Sequence, residues 1–274
     1  MTLRSVQEIY GYHIQATDGE IGTVQEFLFD DEHWAIRYLV VETGDWLHGR
    51  QVLISAAALG TAEWRDSILN VKLTRQQIKN SPDIDTDKPV SRQHELVLAN
   101  YYGYSPYWGG TGIWGMGMYP AGLWAVNTLG MPEEQVAPNT ASAIVGAAIQ
   151  HEEAQAQQGD PHLRSTREVK GYSIQTLDDH IGHVDDVIVD EETWAINAIV
   201  VDTRNWLPGK HVLIEPRWIS TISWDEHAIH VNLRTEQVKN SPEYNPAQTL
   251  NREDVERLHA HYDQPVDKIE EVHR

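Results

Sequence analysis

The chain has 274 residues, no cysteine and a formal net charge of −20, with 41% apolar and 23% charged residues. That length suits about two domains of roughly 100–200 residues, each able to bury a core. The negative field argues against nucleic acid and anionic bilayers and favours basic proteins as partners, while the lack of cysteine excludes disulfides and thiolate metal sites.

The N-terminal residues Met1-Thr2-Leu3-Arg4-Ser5 lack the apolar core of a signal peptide, so a cytoplasmic location is the default expectation. Ser5-x-x-Glu8 has the spacing of a capping box and opens a short helical turn. A strand near Tyr12–Gln15 runs into Asp18-Gly19, a hairpin signal, and Gly22 marks a place that a Cβ would hinder. A strand over Val24–Phe29, an acidic turn at Asp30-Asp31-Glu32 and a returning strand over Ala35–Val41 follow. The turn is expected to be solvated. Val52–Ile54 is short and wholly apolar, as a strand buried on both faces would be. Leu69, Val71 and Leu73 alternate with Asn70 and Lys72, the period of a half-buried strand. A helix around Arg75–Lys79 is stopped by Pro82, and a second begins at Ser91 and runs to about Tyr102.

Residues 101–132 are rich in Gly, Tyr and Trp, and no charged residue occurs between Glu95 and Glu133. Gly and Pro interrupt the window too often for a membrane span. The rings suit burial between two barrels, an interfacial membrane contact or a partner-binding patch. After Pro138 the composition favours an Ala- and Gln-rich helix over 141–158, ended by Gly159.

The chain then repeats itself. Leu163-Arg164-Ser165, Gly171-Tyr172, Ile181-Gly182, Trp194-Ala195-Ile196, Val212-Leu213-Ile214 and Lys239-Asn240-Ser241-Pro242 all recur at one constant offset. Roughly 35 of about 80 positions are identical, so the architecture is a gapless duplication. Asp178 and Gly182 occupy the places of Asp18 and Gly22, and Asn251 opens the counterpart of the helix at Ser91. Trp34, Trp46 and Trp64 recur as Trp194, Trp206 and Trp224, a pattern that favours packing at turns over contact surfaces.

The run Asp18-Gly19-Glu20-Ile21-Gly22-Thr23-Val24 resembles the opening hairpin of PRC-barrel domains, as does Asp178 through Val184 followed by Asp185-Asp186. Ala35–Val41 and the later Leu53-Ile54 and Leu213-Ile214-Glu215-Pro216 extend the likeness. The resemblance implies a mainly β fold with short helices: two small PRC-like barrels in tandem, each followed by short helices. The expected segments are 1–103, 104–160 (linker and helix), 161–263 and 264–274 (polar tail). The family includes a subunit of photosynthetic reaction centres and a ribosome maturation factor, and it works through protein contacts. The chain is most similar in kind to standalone bacterial members, without the membrane helix of the one or the N-terminal domain of the other.

No catalytic motif appears: there is no G-x-S-x-G, no phosphate loop and no H-E-x-x-H. The close pairs His180/His183, His227/His230 and His259/His261 lack a third ligand at metal spacing. Neither a catalytic residue nor a cofactor or metal is therefore assigned. The expected activity is that of a non-enzymatic protein-interaction scaffold, built as an internal pseudo-dimer. The candidate contact residues are Tyr107, Trp108, Trp114, Tyr119, Trp124, Trp46, Trp206 and Trp218, with Asp18, Gly22, Asp178 and Gly182 as structural motif positions. A ribosome-associated factor that binds a basic protein and a small-ligand sensor are the alternatives. The partner is unspecified, no nucleic acid is expected, and peripheral membrane contact and homo-oligomerisation stay open.

Overall fold

The structure, a computed structural model, describes residues 2–82, 90–108, 110–124, 163–203, 210–246, 248, 250 and 252–263. The expected helix over 141–158, Trp206 with its loop, Asn251 and the tail 264–274 lie outside the described residues. The chain divides into a first-repeat unit, Tyr10–Arg164, and a second-repeat unit, Ser165–Arg274 together with Met1–Ile9.

The chain begins with β1 (Leu3–Ser5) and the helical turn α1 (Val6–Ile9). The first repeat continues with β2 (His13–Ala16), β3 (Gly19–Asp30), β4 (Ala35–Glu42), β5 (Gln51–Ser55), β6 (Leu59–Glu63), β7 (Ile68–Val71), α2 (Arg75–Lys79) and α3 (Arg92–Tyr102). The second repeat follows the same plan. It has β8 (Leu163–Ser165), α4 (Thr166–Val169), β9 (Ser173–Gln175), β10 (His180–Asp190), β11 (Ile196–Asp202), β12 (His211–Ile214), β13 (Ile219–Ser223), β14 (Ala228–Val231), α5 (Thr235–Lys239) and α6 (Arg252–Tyr262).

Each unit holds a mixed sheet of seven strands. In the first-repeat unit the order is β5-β4-β3-β2-β7-β6, antiparallel except that β2 and β7 run parallel. Ile14, Ile21, Phe27, Phe29, Leu39 and Ile54 fill its core. The alternation read from the sequence is realised in β7 and just beyond it, with Leu69, Val71 and Leu73 buried and Lys72 exposed. β4 is buried along both faces from Ala35 to Val41, Arg37 included.

Local chemistry explains the motif positions. A Cβ on Gly22 would stand 1.8 Å from the Glu42 carbonyl oxygen, and one on Gly182 would stand 2.2 Å from that of Asp202. Only glycine lets these strands approach so closely. The Asp18 carboxylate accepts from the Arg75 N–H at 2.7 Å, and Asp178 accepts from the Thr235 N–H at 2.8 Å. Each hairpin acid thereby satisfies a free donor in the first turn of a helix. Hydrogen bonds from Thr235 also hold the Asp178 pKa below the ordinary carboxylate value.

Trp34 and Trp194 take left-handed backbone angles, φ 52 and φ 56, at equivalent turns. A bulky residue there needs compensation. It comes from Phe29 stacked on Trp34 at 5.7 Å and from Asp30, which accepts from the Glu32 and His33 N–H groups at 2.8 and 3.2 Å. The acidic turn is therefore only partly solvated, contrary to the expectation from its composition: Glu32 is exposed, but Asp30 is fully buried.

The seventh strand is where the fold departs from the order of the repeats. β8 pairs with β3, whereas β1 pairs with β10, with Leu3, Arg4 and Ser5 opposite Asp190, Val189 and Ile188. The leading strand of each repeat thus completes the sheet of the other. An unpaired strand edge carries a row of unsatisfied backbone groups, and the borrowed strand covers it. Side chains fix the exchange. Arg4 pairs with Glu191, and at the equivalent place Arg164 pairs with Asp31 at 3.3 Å. The Ser5 hydroxyl donates to Asp186, which also accepts from the Gln7 N–H at 3.2 Å.

Two outcomes follow from this exchange. Removing residues 1–9 will accelerate amide hydrogen exchange in β10 and β11, far away in sequence, and leave β3 and β4 protected. Burial raises the Asp186 carboxyl to about 6, against the hydrogen bonds from Ser5, Val187 and Gln7 that lower it. A raised carboxyl adds stability at low pH that is lost as pH rises through about 6. Thermal melts from pH 4 to 7 should therefore show wild type losing stability relative to Asp186→Asn as pH increases. Parallel curves would refute this role for Asp186.

Candidate functional site

The candidate site is built on β4 and α3 of the first-repeat unit. Ser91 caps α3 by accepting from the His94 N–H at 3.2 Å, and Gly103 ends the helix at φ 81. The described residues of 104–124 then form a strap over β4 and α3. Its own backbone stitches it together: Gly115 N–H donates to Tyr107 at 2.7 Å, Gly112 to Gly115 at 2.7 Å and Ser105 to Leu123 at 3.0 Å. A Cβ on Gly110 or Gly112 would lie 2.3 Å from a carbonyl oxygen across the strap. Gly110 and Gly112 thus serve a close backbone crossing.

Arg37 holds the strap to the sheet. Its guanidinium has no solvent exposure and lies 2.9 Å from the equally buried Asp30 carboxylate. It donates to the Ile113 carbonyl at 2.6 Å, and its carbon is 3.8 Å from the Tyr107 ring centroid and 4.6 Å from that of Trp114. A cation over aromatic faces is stabilised most where water is absent. Burial alone would raise the Asp30 pKa, but Arg37 and the turn amides pull it below the ordinary value. Arg92 adds a second cation, 4.3 Å from the Trp108 ring and 5.1 Å from Tyr107. Burial pushes the hydroxyls of Tyr38, Tyr104 and Tyr107 well above their usual range, so this cluster stays neutral.

The aromatic residues singled out in the sequence have different fates. Tyr107 and Trp114 are core residues, 4% and 1% exposed. Trp108 is half-buried beside Arg92, and Trp124 is half-buried and donates to the Ala57 carbonyl at 2.7 Å. Trp46 donates to the Ile21 carbonyl and carries Arg75 over its ring at 4.5 Å. Trp218 rests against Tyr262 with ring centroids 4.4 Å apart. Tyr119 faces solvent at 54% exposure, with Met116 at 84% and Met118 at 53% beside it.

Sequence reasoning missed Arg37, Asp30, Met116 and Met118. The signal for Arg37 was a lone cation within an otherwise apolar strand, replaced by Asn197 in the second copy. The methionines were signalled by the run Gly115-Met116-Gly117-Met118, in which the glycines offer no side chain to cover them.

Of the histidine pairs, His180 and His183 stay together with ring centroids 5.2 Å apart, while the other two pairs separate into different contacts. His227 packs on Tyr172 at 5.1 Å, His230 lies 3.6 Å from Glu226, and His259 Nε2 lies 2.6 Å from Glu215. Among the described residues one group brings three ligand-type atoms together, Asp30, Glu32 and His33. Arg37 already supplies the positive charge there, which opposes a second cation. No described helix is long and apolar enough to cross a membrane.

The PRC-barrel domain family matches residues 1–79 and 162–238, together more than half of the chain. No curated protein matches it.

Replacing Arg37 with Met should leave the buried Asp30 without its guanidinium, with the His33 ring 3.1 Å away as its remaining side-chain partner among the described residues, at a cost of about 3–5 kcal/mol. Chemical denaturation will measure that loss, and tryptophan emission shifted to the red will report Trp114 leaving the core as the strap lifts from β4. Unchanged emission and stability would show that the pair does not hold the strap.

Proposed function

The chain belongs to the PRC-barrel domain family, and from that premise we propose that it is a cytoplasmic, non-enzymatic protein-interaction scaffold. It is pseudo-dimeric in a topological sense, since each repeat lends its first strand to the other's sheet. The observation that carries this reading is the tip of the strap. Met116, Met118 and Tyr119 stand exposed within four residues, on a backbone anchored by Arg37, Gly112 and Trp124.

Scattered exposed apolar residues are ordinary, but a contiguous group on a fixed platform marks an interface. The anchored backbone reduces the ordering cost of binding, and methionine adapts to varied partner surfaces. The net charge of −20 favours a basic partner. Two of the shifted carboxyls have structural duties: Asp30 serves the strap, and Asp186 serves the exchanged strand.

The test is affinity capture from native lysate with quantitative mass spectrometry, comparing wild type with the triple variant Met116→Ser, Met118→Ser, Tyr119→Ser. Partners enriched at least about tenfold by wild type should be lost by a variant with an unchanged melting curve. Equal recovery by both proteins would overturn the reading.

A further inference from the structure

The two repeats present the same cleft between helix and sheet, and only one of the two is filled by the strap. α3 and α6 dock alike. The Tyr101 hydroxyl donates to the Gln77 carbonyl at 2.7 Å, and His261 Nε2 lies 2.7 Å from the Gln237 carbonyl at the equivalent positions. In the first-repeat unit, rings of the strap occupy the cleft over Arg37, Tyr38, Ser55 and Glu95. Their counterparts in the second-repeat unit are Asn197, Ala198, Glu215 and Val255, and these four line a cavity of about 430 Å³. Ala198 in place of Tyr38 removes a whole ring from its floor, while Leu213 and Leu258 keep it apolar.

We propose that this cleft of the second-repeat unit receives an extended segment of a partner protein that brings an aromatic ring next to a Lys or Arg. The first repeat shows the kind of occupant such a cleft takes: a Gly-rich segment that inserts Tyr and Trp rings. Charge sets the difference. In the first-repeat unit the sheet and helix supply the cations, Arg37 and Arg92, and the strap supplies the rings. The second cleft has lost the first of these cations to Asn197. It gains Glu215 and Glu256 where the first repeat has Ser55 and Leu96 and loses the buried Glu95 to Val255, a net gain of one acid. Glu215 is paired with His259 and with Arg217, 3.0 Å away, whose half-exposed side chain an incoming cation can displace. This assignment rests on the interaction-protein reading and gives it a second site, distinct from the strap tip.

The test is fluorescence anisotropy with a labelled Gly/Ser peptide carrying one Tyr and one Trp, each followed by Arg. Control peptides replace each Arg with Glu or each ring with Ala. Wild type should bind the probe in a salt-sensitive manner and neither control. Ala198→Tyr, which restores the ring of the first repeat, and the milder Glu215→Ser should each weaken binding about tenfold or more, with melting curves confirming the fold. The strap-tip triple variant should bind the probe as wild type does, so this site can fail without the strap-tip reading failing, and the reverse. Equal binding of the glutamate peptide, or no effect of either cleft variant, would overturn the proposal. Binding that emerges only after removal of residues 264–274 would also overturn it, by assigning the cleft to the chain's own C-terminal segment.

Discussion

A guanidinium with no access to water must find counter-charge, acceptors and cover inside the protein, and the first-repeat unit is organised around that demand. Asp30 answers the charge of Arg37, Ile113 accepts one of its hydrogen bonds, and Tyr107 and Trp114 cover it. Each partner brings further structure with it. Asp30 also ties the β3–β4 turn, so that turn and strap share one carboxylate. The rings bring residues 104–124 down onto β4, and that is why β4 is buried on both faces. An edge-to-core arrangement of this kind is held together by a few interactions in a dry place, where each is stronger than it would be at the surface.

The second repeat keeps the scaffold and changes the surface. Hairpin acids, glycines at the strand crossing, left-handed tryptophans and strand bulges recur at the same offset. Among the differences are the positions beneath the strap of the first copy: Arg37, Tyr38, Ser55 and Glu95 against Asn197, Ala198, Glu215 and Val255. Positions set by backbone geometry cannot drift without unfolding the sheet, whereas positions that face a covering segment are free to change once the cover does. Duplication here preserved a framework and separated two faces.

Much of the framework was legible in the sequence because its causes are local. Period two placed Leu69, Val71 and Leu73 inward, Ser91 announced a helix, and Asp18-Gly19 announced a hairpin. The destination of β1 was not legible, for a physical reason. Leu-Arg-Ser begins both repeats, so a strand of three residues carries no mark of which sheet it will join. The burial of Asp30 was hidden too, because an acidic turn reads as solvated until its cation is located. Tyr and Trp suit a core as well as an interface, and composition therefore could not separate the buried Trp114 from the exposed Tyr119.

The borrowed strand also sets a timetable for the newborn chain. Arg4 meets Glu191 across 187 residues of sequence. At roughly 5–20 residues per second, ribosomal synthesis holds β1 without its partner for about 10–40 s. Over that interval its backbone is a short open edge, and brevity and the charge of Arg4 are its protection against joining a neighbouring chain. On polysomes, where several such chains grow side by side, the fidelity of the fold is decided by which β10 arrives first.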